Sequence, residues 1–322
     1  MGIPVYPLEI DHPQIQKAIE TFKSNPNGYS TAGLEYATVT WQSNQHEQNQ
    51  DRAVVFYPFR TQQSRPNHPT FLVAIFDGHG VEGHLVADYV VKAFPRLLAD
   101  KLNQQACCAP DEWIIQQLKD TFVEIDSNAP TSALRGGCTG SVTLRLDNRL
   151  FVANAGDSRT ILANYHTANQ TEISYMSRKD KPNLPDERSR IEALGGKIHI
   201  PPKNPALSRV VVFSKAASPP ESIGLAMSRS IGDQEWTAVG VTAEPLVDVM
   251  DVSNLTRSFV VAASDGLWDL RRPQFFAKQF GASLYADGSH PLVECVETIL
   301  KVSPQEKEWY RDDITAIAIK VD

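Results

Sequence analysis

Short runs of apolar and β-branched residues, separated by polar turn residues, recur along most of the chain. Such runs are typical of β-strands that are buried on at least one face. They predict the strands Tyr36–Trp41, Ala53–Tyr57, Phe71–Phe76, Ser141–Leu146, Arg149–Ala155, Thr160–Ala163, Arg209–Phe213, Ile223–Met227, Ser258–Ala263 and Ile314–Lys320. Only Asp147 and Asn148 separate two of these runs, which predicts a two-residue hairpin.

Longer segments whose apolar residues recur at helical spacing interrupt these strands. They predict helices over Val81–Leu102, Asp111–Ser127, Asp186–Leu194 and Ser289–Val302, the first of them kinked or ended at Pro95. Helices inserted among many strands, without strict alternation, favour an α+β fold. We predict a central sandwich of two antiparallel β-sheets flanked by α-helices on both faces, in four layers α-β-β-α.

Length and composition exclude several classes of protein. The 322 residues suffice for one large domain, and 42% of them are apolar. The net charge of −7 argues against nucleic acid as a partner. No apolar run is long enough to span a bilayer, and the four cysteines show neither a disulfide framework nor zinc spacing. We therefore expect an intracellular protein, cytoplasmic or nuclear, with no membrane partner.

Aspartates stand at the ends of several predicted strands. Asp51 precedes one strand and Asp77 follows the next. Asp157 and Asp265 also follow strands, and Asp312 precedes the last one. In an antiparallel sheet the start of one strand and the end of its neighbour lie at the same edge. We therefore expect these carboxylates to converge on one rim of the sandwich.

The convergence of acidic residues predicts a particular chemistry. A dry cluster of carboxylates needs cations to neutralise it, and oxygen-only ligands suit Mg²⁺ or Mn²⁺ rather than zinc. Two such ions activate water near neutral pH and clamp a phosphoryl group during in-line displacement. A phosphoester with an alkoxide leaving group also needs a general acid. His79, two residues beyond Asp77 and bracketed by Gly78 and Gly80, is our candidate.

Other phosphoryl-transfer chemistries fit less well. A cysteine phosphatase needs an arginine six positions after its cysteine, and none of the cysteines in this chain has one. The segment 136–141 resembles a phosphate-binding loop only loosely, because it lacks the lysine that reaches the phosphates. This argues against a kinase or an NTPase. A two-metal nuclease stays open, although the acidic net charge and the absence of a basic stripe count against it.

A set of short motifs, taken together and in order, resembles the metal-dependent serine/threonine protein phosphatases of type 2C. The motifs are Phe76–Gly80, Gly137–Gly140, Ala155–Arg159, Leu225–Asp233, Ala263–Asp269 and Asp312–Thr315. The resemblance implies a catalytic domain over residues 35–322, after an N-terminal extension over residues 1–34, with a variable, proline-rich surface flap at about residues 197–222. It also implies a helix-flanked β-sandwich that acts on phosphorylated protein substrates. We expect this protein to be a monomer.

The same resemblance implies roles for individual residues. Asp77 would bridge two Mg²⁺ or Mn²⁺ ions, and the carbonyl of Gly78 would complete one coordination shell. Asp265 and Asp312 would bind the second ion. Asp313 stands where the family usually has asparagine, so we assign the ligand role to Asp312 by its position in the motif.

Three more acidic residues match the family pattern, and two residues, Gln50 and His46, differ from it. Asp51 matches the family's acidic residue near the metals, and Asp157 and Asp269 would support a third, weaker ion. The family usually has glutamate where this chain has Gln50. Many members also carry a phosphate-anchoring arginine where this chain has His46. An imidazole replaces that arginine only in part, and only when protonated.

The missing arginine leaves a second hypothesis open, a catalytically silent phosphoprotein-binding protein on the same fold. A decayed site should lose its metal ligands first, because unneutralised buried carboxylates are a liability. The intact Asp77, Asp265 and Asp312 therefore favour the enzyme.

Overall fold

Two large antiparallel β-sheets lie face to face at the centre of the structure. This computed structural model describes residues 29–32, 36–43, 47–134, 136–167, 170–214, 221–285 and 312–322. The six-stranded sheet contains, in spatial order, β1 (Tyr29–Ala32), β2 (Tyr36–Trp41), β17 (Ile314–Lys320), β16 (Ser258–Ala263), β9 (Arg159–Thr167) and β10 (Gln170–Met176). The five-stranded sheet contains β15 (Leu246–Asp251), β8 (Arg149–Ala155), β7 (Gly140–Leu146), β4 (Thr70–Phe76) and β3 (Arg52–Phe56).

Every strand predicted from the apolar runs is present, and the register explains their composition. In β4 the side chains of Phe71, Val73 and Ile75 face the other sheet, while those of Leu72 and Ala74 face the helices. Because successive side chains of a strand point to opposite faces, a strand covered on both faces is apolar throughout. The two-residue hairpin between β7 and β8 is also confirmed.

Helices cover the outer face of each large sheet, so the predicted four-layer α-β-β-α arrangement is confirmed. The helices are α1 (Gly83–Leu102), α2 (Asp111–Ser127), α3 (Pro185–Ala193), α4 (Gln234–Thr237), α5 (Asp265–Trp268) and α6 (Pro273–Tyr285). Helices α1 and α2 pack on the five-stranded sheet, and α6 packs on the six-stranded sheet. Across the described ranges, none of the helices combines the length and the apolar character that crossing a membrane requires.

Two details of the helices differ from the sequence-based expectations. Helix α1 continues through Pro95, which is buried, to the predicted end at Leu102, so of the two expected effects of this proline an end to the helix does not occur. Its remaining turns pack on the sheet, which offsets the backbone hydrogen bond that proline cannot donate. Helix α6 was not predicted at all. The predicted helix Ser289–Val302 lies outside the described residues.

Two small sheets complete the described fold. One contains β5 (Gly78–Gly80), β6 (Gly136–Cys138) and β14 (Ile231–Gly232), and the other contains β11 (Lys197–His199), β12 (Arg209–Ser214) and β13 (Glu221–Leu225). The first adjoins the predicted metal site through β5. The second has β11 and β12 inside the predicted flap and β13 across its C-terminal end, so part of that segment contains regular antiparallel pairing. Strand β1 lies within residues 1–34, and the six-stranded sheet therefore includes part of the segment predicted to be an extension.

Candidate metal centre

The register of β3 and β4 places the first two aspartates side by side. Arg52, the first residue of β3, pairs with Phe76, the last residue of β4. Asp51 and Asp77 are the next residues beyond this pair, so they leave the five-stranded sheet at the same edge. The expectation from antiparallel geometry is confirmed for these two residues.

The six-stranded sheet brings its own aspartates to the same edge. Ala263 at the end of β16 pairs with Ala316 of β17 and with Arg159 at the start of β9. Asp265 therefore lies between the residues that precede β17 on one side and Asp157, which precedes β9, on the other. The hydroxyl of Ser264 donates a hydrogen bond of 2.8 Å to Oδ2 of Asp51, which links the rims of the two sheets.

Buried carboxylates at this rim raise one another's pKa. Burial, and then the charge of Asp313, raise the pKa of Asp51 to about 7. Burial also raises the pKa of Asp77 well above its usual range, with further contributions from Asp51 and Asp265. The pKa of Asp265 rises for the same reason, with Asp157 as its strongest acidic neighbour. The rim therefore concentrates negative charge that the protein leaves largely uncompensated.

The donor set fits hard divalent cations. Oδ1 of Asp51 is buried without a hydrogen-bond partner in the described structure, and neither Asp77 nor Asp265 forms a salt bridge with a described residue. Carboxylate oxygens in this state suit Mg²⁺ or Mn²⁺. Within the described ranges no three acidic, histidine or cysteine side chains already form a closed ligand group. Because unneutralised carboxylates repel each other, such closure needs the cations themselves.

Backbone packing leaves space only for glycine at Gly78. A Cβ atom at this position would lie 2.6 Å from the carbonyl oxygen of Gln50 and 2.9 Å from the backbone of Gly83. The strand β5 therefore passes directly beneath the loop that carries Asp51. This close approach holds the Gly78 backbone at the rim, where its carbonyl is predicted to be a ligand.

The two neighbouring aspartates before β17 differ in their surroundings. The carboxylate of Asp313 is buried and accepts hydrogen bonds from the backbone amides of Ser43, at 2.6 Å, and Gln50, at 2.7 Å. Asp313 thus fixes the loop before β3 against the last strand. Asp312 is partly exposed, and its Oδ1 accepts a hydrogen bond from the amide of Asp313. This division of roles supports the assignment of Asp312 as the ligand, which stays a prediction.

His79 has a partner that the sequence did not reveal. Its Nε2 lies 2.6 Å from Oδ2 of Asp233, which also accepts a hydrogen bond of 2.6 Å from the hydroxyl of Ser230. Asp233 has a left-handed backbone conformation, and its amide donates to the carbonyl of Gly136. Burial alone would lower the pKa of His79, but the charge of Asp233 and the hydrogen bond to it raise the pKa overall. The motif Leu225–Asp233 could have pointed to this residue, since it ends in an aspartate.

The predicted ligands of a third ion both pair with lysines. Nζ of Lys181 lies 2.5 Å from Oδ2 of Asp157, and Nζ of Lys179 lies 2.7 Å from Oδ1 of Asp269. Burial alone would raise the pKa of Asp157, but the charge of Lys181 and its hydrogen bond lower the pKa below its usual value. This pair of carboxylates is therefore already neutralised, unlike Asp51, Asp77 and Asp265. This end of the rim therefore carries its own cations, unlike the core of the site, while Oδ1 of Asp157 is buried without a partner among the described residues.

Arg52 and Arg159 are the basic residues at the rim that are alternatives to His46 as a phosphate anchor. His46 lies outside the described residues. Arg52 is 4% exposed, contacts Asp88 at 2.5 Å and donates to the carbonyl of Asn49, so it is not available as a phosphate anchor. Nε of Arg159 is buried without a hydrogen-bond partner in the described structure.

A fully buried glutamate organises the segment that carries the two lysines. Glu187 on α3 contacts Arg178 at 2.8 Å, Arg190 at 2.6 Å and Arg229 at 2.8 Å. Burial alone would raise the pKa of Glu187, but the hydrogen bonds from Arg190 and Arg229 lower it to about 2. Arg178 also contacts Asp180, which lies between the two lysines in the sequence. The network therefore fixes this segment relative to α3.

Comparison with curated proteins identifies relatives over most of the chain. Residues 38–280 match the family profile described as Protein phosphatase 2C. Probable protein phosphatase 2C 41 of Arabidopsis thaliana is 32% identical over 235 residues, which cover 69% of this chain and 64% of that protein. Probable protein phosphatase 2C 73 of the same plant is 31% identical over 242 residues, which cover 69% of this chain and 62% of that protein. The chain thus spans just under two thirds of the length of these relatives.

Solved structures share the fold at lower sequence identity. The crystal structure of serine-threonine phosphatase 2C from Toxoplasma gondii is similar with a TM-score of 0.71 and 18% identity, covering 92% of this chain and 99% of that one. The structure of a C. elegans sex-determining protein is similar with a TM-score of 0.61 and 16% identity, covering 90% and 65%. The family profile, the sequence relatives and the shared sandwich agree: this chain belongs to the protein phosphatase 2C family.

Proposed function

We propose that this protein is a Mg²⁺- or Mn²⁺-dependent phosphatase that hydrolyses phosphoserine and phosphothreonine in protein substrates. The observation that carries the proposal is the set of buried, mutually repelling carboxylates of Asp51, Asp77 and Asp265 at the joined rims of the two sheets. Such a cluster is costly unless cations bind to it. Membership in the protein phosphatase 2C family supports the same reaction.

The side chains would divide the work of binding. Asp51, Asp77 and the carbonyl of Gly78 would hold metal ions at the edge of the five-stranded sheet. Asp265 and Asp312 would hold the second ion. Bound divalent ions would supply an activated water and neutralise the phosphoryl charge. The protein contributes a fixed geometry, because hydrogen bonds across the two rims hold the ligand-bearing segments together.

Proton donation to the leaving group would fall to His79. The departing serine or threonine oxygen is strongly basic, so a proton at that oxygen lowers the barrier. The carboxylate of Asp233 orients the imidazole through Nε2 and favours its protonated form. Nδ1 of His79, buried and without a partner in the described structure, is then the nitrogen left to face the leaving oxygen.

Phosphate release from a phosphothreonine peptide tests the proposal. We expect protein treated with a chelator to be inactive, and Mn²⁺ or Mg²⁺ to restore turnover. Asp77→Asn should abolish activity with an unchanged circular dichroism spectrum, while Asp100→Asn, an exposed aspartate on α1, should leave turnover unchanged. Full activity without a divalent ion would refute the metal-dependent mechanism. Binding of the phosphopeptide without release would favour the silent phosphoprotein-binding protein.

A further inference from the structure

Two lysines stand where the resemblance to the family predicts a third metal ion. Asp265 and Asp269 lie four residues apart on α5 and its C-terminal end, so their side chains share one face. Asp157 and Asp269 are both close enough to raise the pKa of Asp265. Lys179 and Lys181 approach the outer two of these three carboxylates and leave Asp265 to the core of the site.

The ammonium group of Lys181 is held in place by its surroundings, and the segment that carries both lysines is anchored to the rim. Nζ of Lys181 also donates to the carbonyl of Ala226 at 3.2 Å, and the side chain is mostly buried. Asp180, between the two lysines in the sequence, is turned to the amide of Gly156 at 3.1 Å. The segment is therefore tied to the turn that carries Asp157, and both lysines stay near the rim.

We propose that the ammonium groups of Lys179 and Lys181 replace a third divalent ion at Asp157 and Asp269, so that this chain holds a two-ion centre with a cation built into the protein. The inference rests on the proposed metal-dependent function. Two carboxylates paired with two lysines have no net charge left to attract a divalent ion. Although Oδ1 of Asp157 has no partner in the described structure, an ion there would face both ammonium groups.

The size of this effect follows from Coulomb's law. A divalent ion about 5 Å from one ammonium group is repelled strongly enough, even at the dielectric constant of water, to weaken its binding on the order of ten-fold. Lys179 is the better lysine to change, because its partner Asp269 is 67% exposed and the pair supports little of the fold. Removing Lys179 should therefore create a third ion site without unfolding the protein.

The number of Mn²⁺ ions bound per chain tests the proposal, measured from the electron paramagnetic resonance signal of free Mn²⁺ during a titration. We expect two ions for the wild-type protein and for Lys179→Arg, which keeps the positive charge. Lys179→Ala should bind a third ion at least about ten-fold more tightly than the wild-type protein does. The double variant Lys179→Ala/Asp269→Asn should return to two ions.

A matched control comes from an ion pair elsewhere. Lys119 lies 2.8 Å from Glu244 in a similarly exposed ion pair, and Lys119→Ala should still bind two ions. The inference would be overturned if the wild-type protein bound three Mn²⁺ ions per chain and Asp269→Asn bound two. It would also be overturned if Lys179→Ala bound only two ions. These outcomes leave the proposed function standing. A wild-type count that Asp77→Asn does not lower would instead reject the metal centre itself, and this inference with it.

Discussion

Replacing Glu187 by glutamine should be among the most destabilising single changes in the described fold. The carboxylate is fully buried and accepts hydrogen bonds from Arg178, Arg190 and Arg229. Glutamine keeps the shape but loses the charge, and its amide group would direct N–H donors at guanidinium groups that also donate. Three arginines would then lose their shared counter-ion in a water-poor environment.

The magnitude follows from two independent considerations. The pKa of Glu187 is about 2 in the folded protein against 4.5 when unperturbed, which corresponds to at most about 3 kcal/mol of stability at neutral pH. Breaking a buried ion pair by removing one partner typically costs about 3–5 kcal/mol. We therefore expect Glu187→Gln to lower the free energy of unfolding by about 3 kcal/mol or more.

Urea denaturation of both proteins across a pH range measures this loss. Because the folded pKa is depressed, the contribution of Glu187 is fully present above pH 4.5 and is lost as the pH falls towards 2. The difference in the free energy of unfolding between wild type and variant should be constant from about pH 5 to 8 and shrink below that range.

Glu192→Gln is the matched control, because Glu192 on the same helix contacts Arg188 at 2.8 Å with both side chains about half exposed. It should cost less than about 1 kcal/mol. A loss below 1 kcal/mol for Glu187→Gln would refute the reasoning.

Three further predictions test the site. His79→Ala should slow hydrolysis of a phosphothreonine peptide about 10²–10⁴-fold but slow hydrolysis of p-nitrophenyl phosphate far less. Asp233→Asn should give the same pattern with smaller losses. Equal losses on both substrates would contradict the general-acid role of His79. Asp312→Asn should weaken Mn²⁺ binding and leave the melting temperature unchanged. Asp313→Ala should lower the free energy of unfolding, measured by thermal denaturation, by about 2 kcal/mol or more, because two backbone amides lose their acceptor. The reverse pattern would mean that Asp313 is the metal ligand and Asp312 the structural residue. His46→Arg should lower KM for a small phosphoester and flatten its rise between about pH 6 and 8, because imidazole is protonated chiefly below about pH 6.5; an unchanged KM would exclude His46 as the phosphate anchor.

Local patterns were sufficient to predict most strands of the two large sheets and the convergence of the aspartates at their ends. A strand such as β4, covered on both faces, must be apolar throughout, and antiparallel pairing then fixes which strand ends meet. The strands that the sequence did not reveal are short or partly exposed. Strand β5, for example, is only three residues long, and its sequence Gly78–Gly80 gives no periodic signal. Strand β15 is half exposed along its length and alternates too weakly to stand out.

Side-chain partnerships across long sequence separations could not be predicted in the same way. Asp233 lies 154 residues from His79, and Asp313 lies 263 residues from Gln50. Nothing local to these residues shows which oxygen accepts which hydrogen bond, because the pairing depends on how the elements pack. Lys179 is instructive because its charge is visible in the sequence, but only the fold shows that this charge neutralises Asp269.

The position of β17 has a consequence for how the chain is synthesised. This strand follows all other described strands in the sequence, yet it lies between β2 and β16. While the ribosome is still translating, both neighbours therefore lack a partner on that side, and exposed strand edges favour association with other chains. Asp312 and Asp313 emerge together with β17, so the acidic rim cannot assemble on a partly made chain. The acidic rim should therefore form only after β17 has been made, when the other described strands of both large sheets already exist.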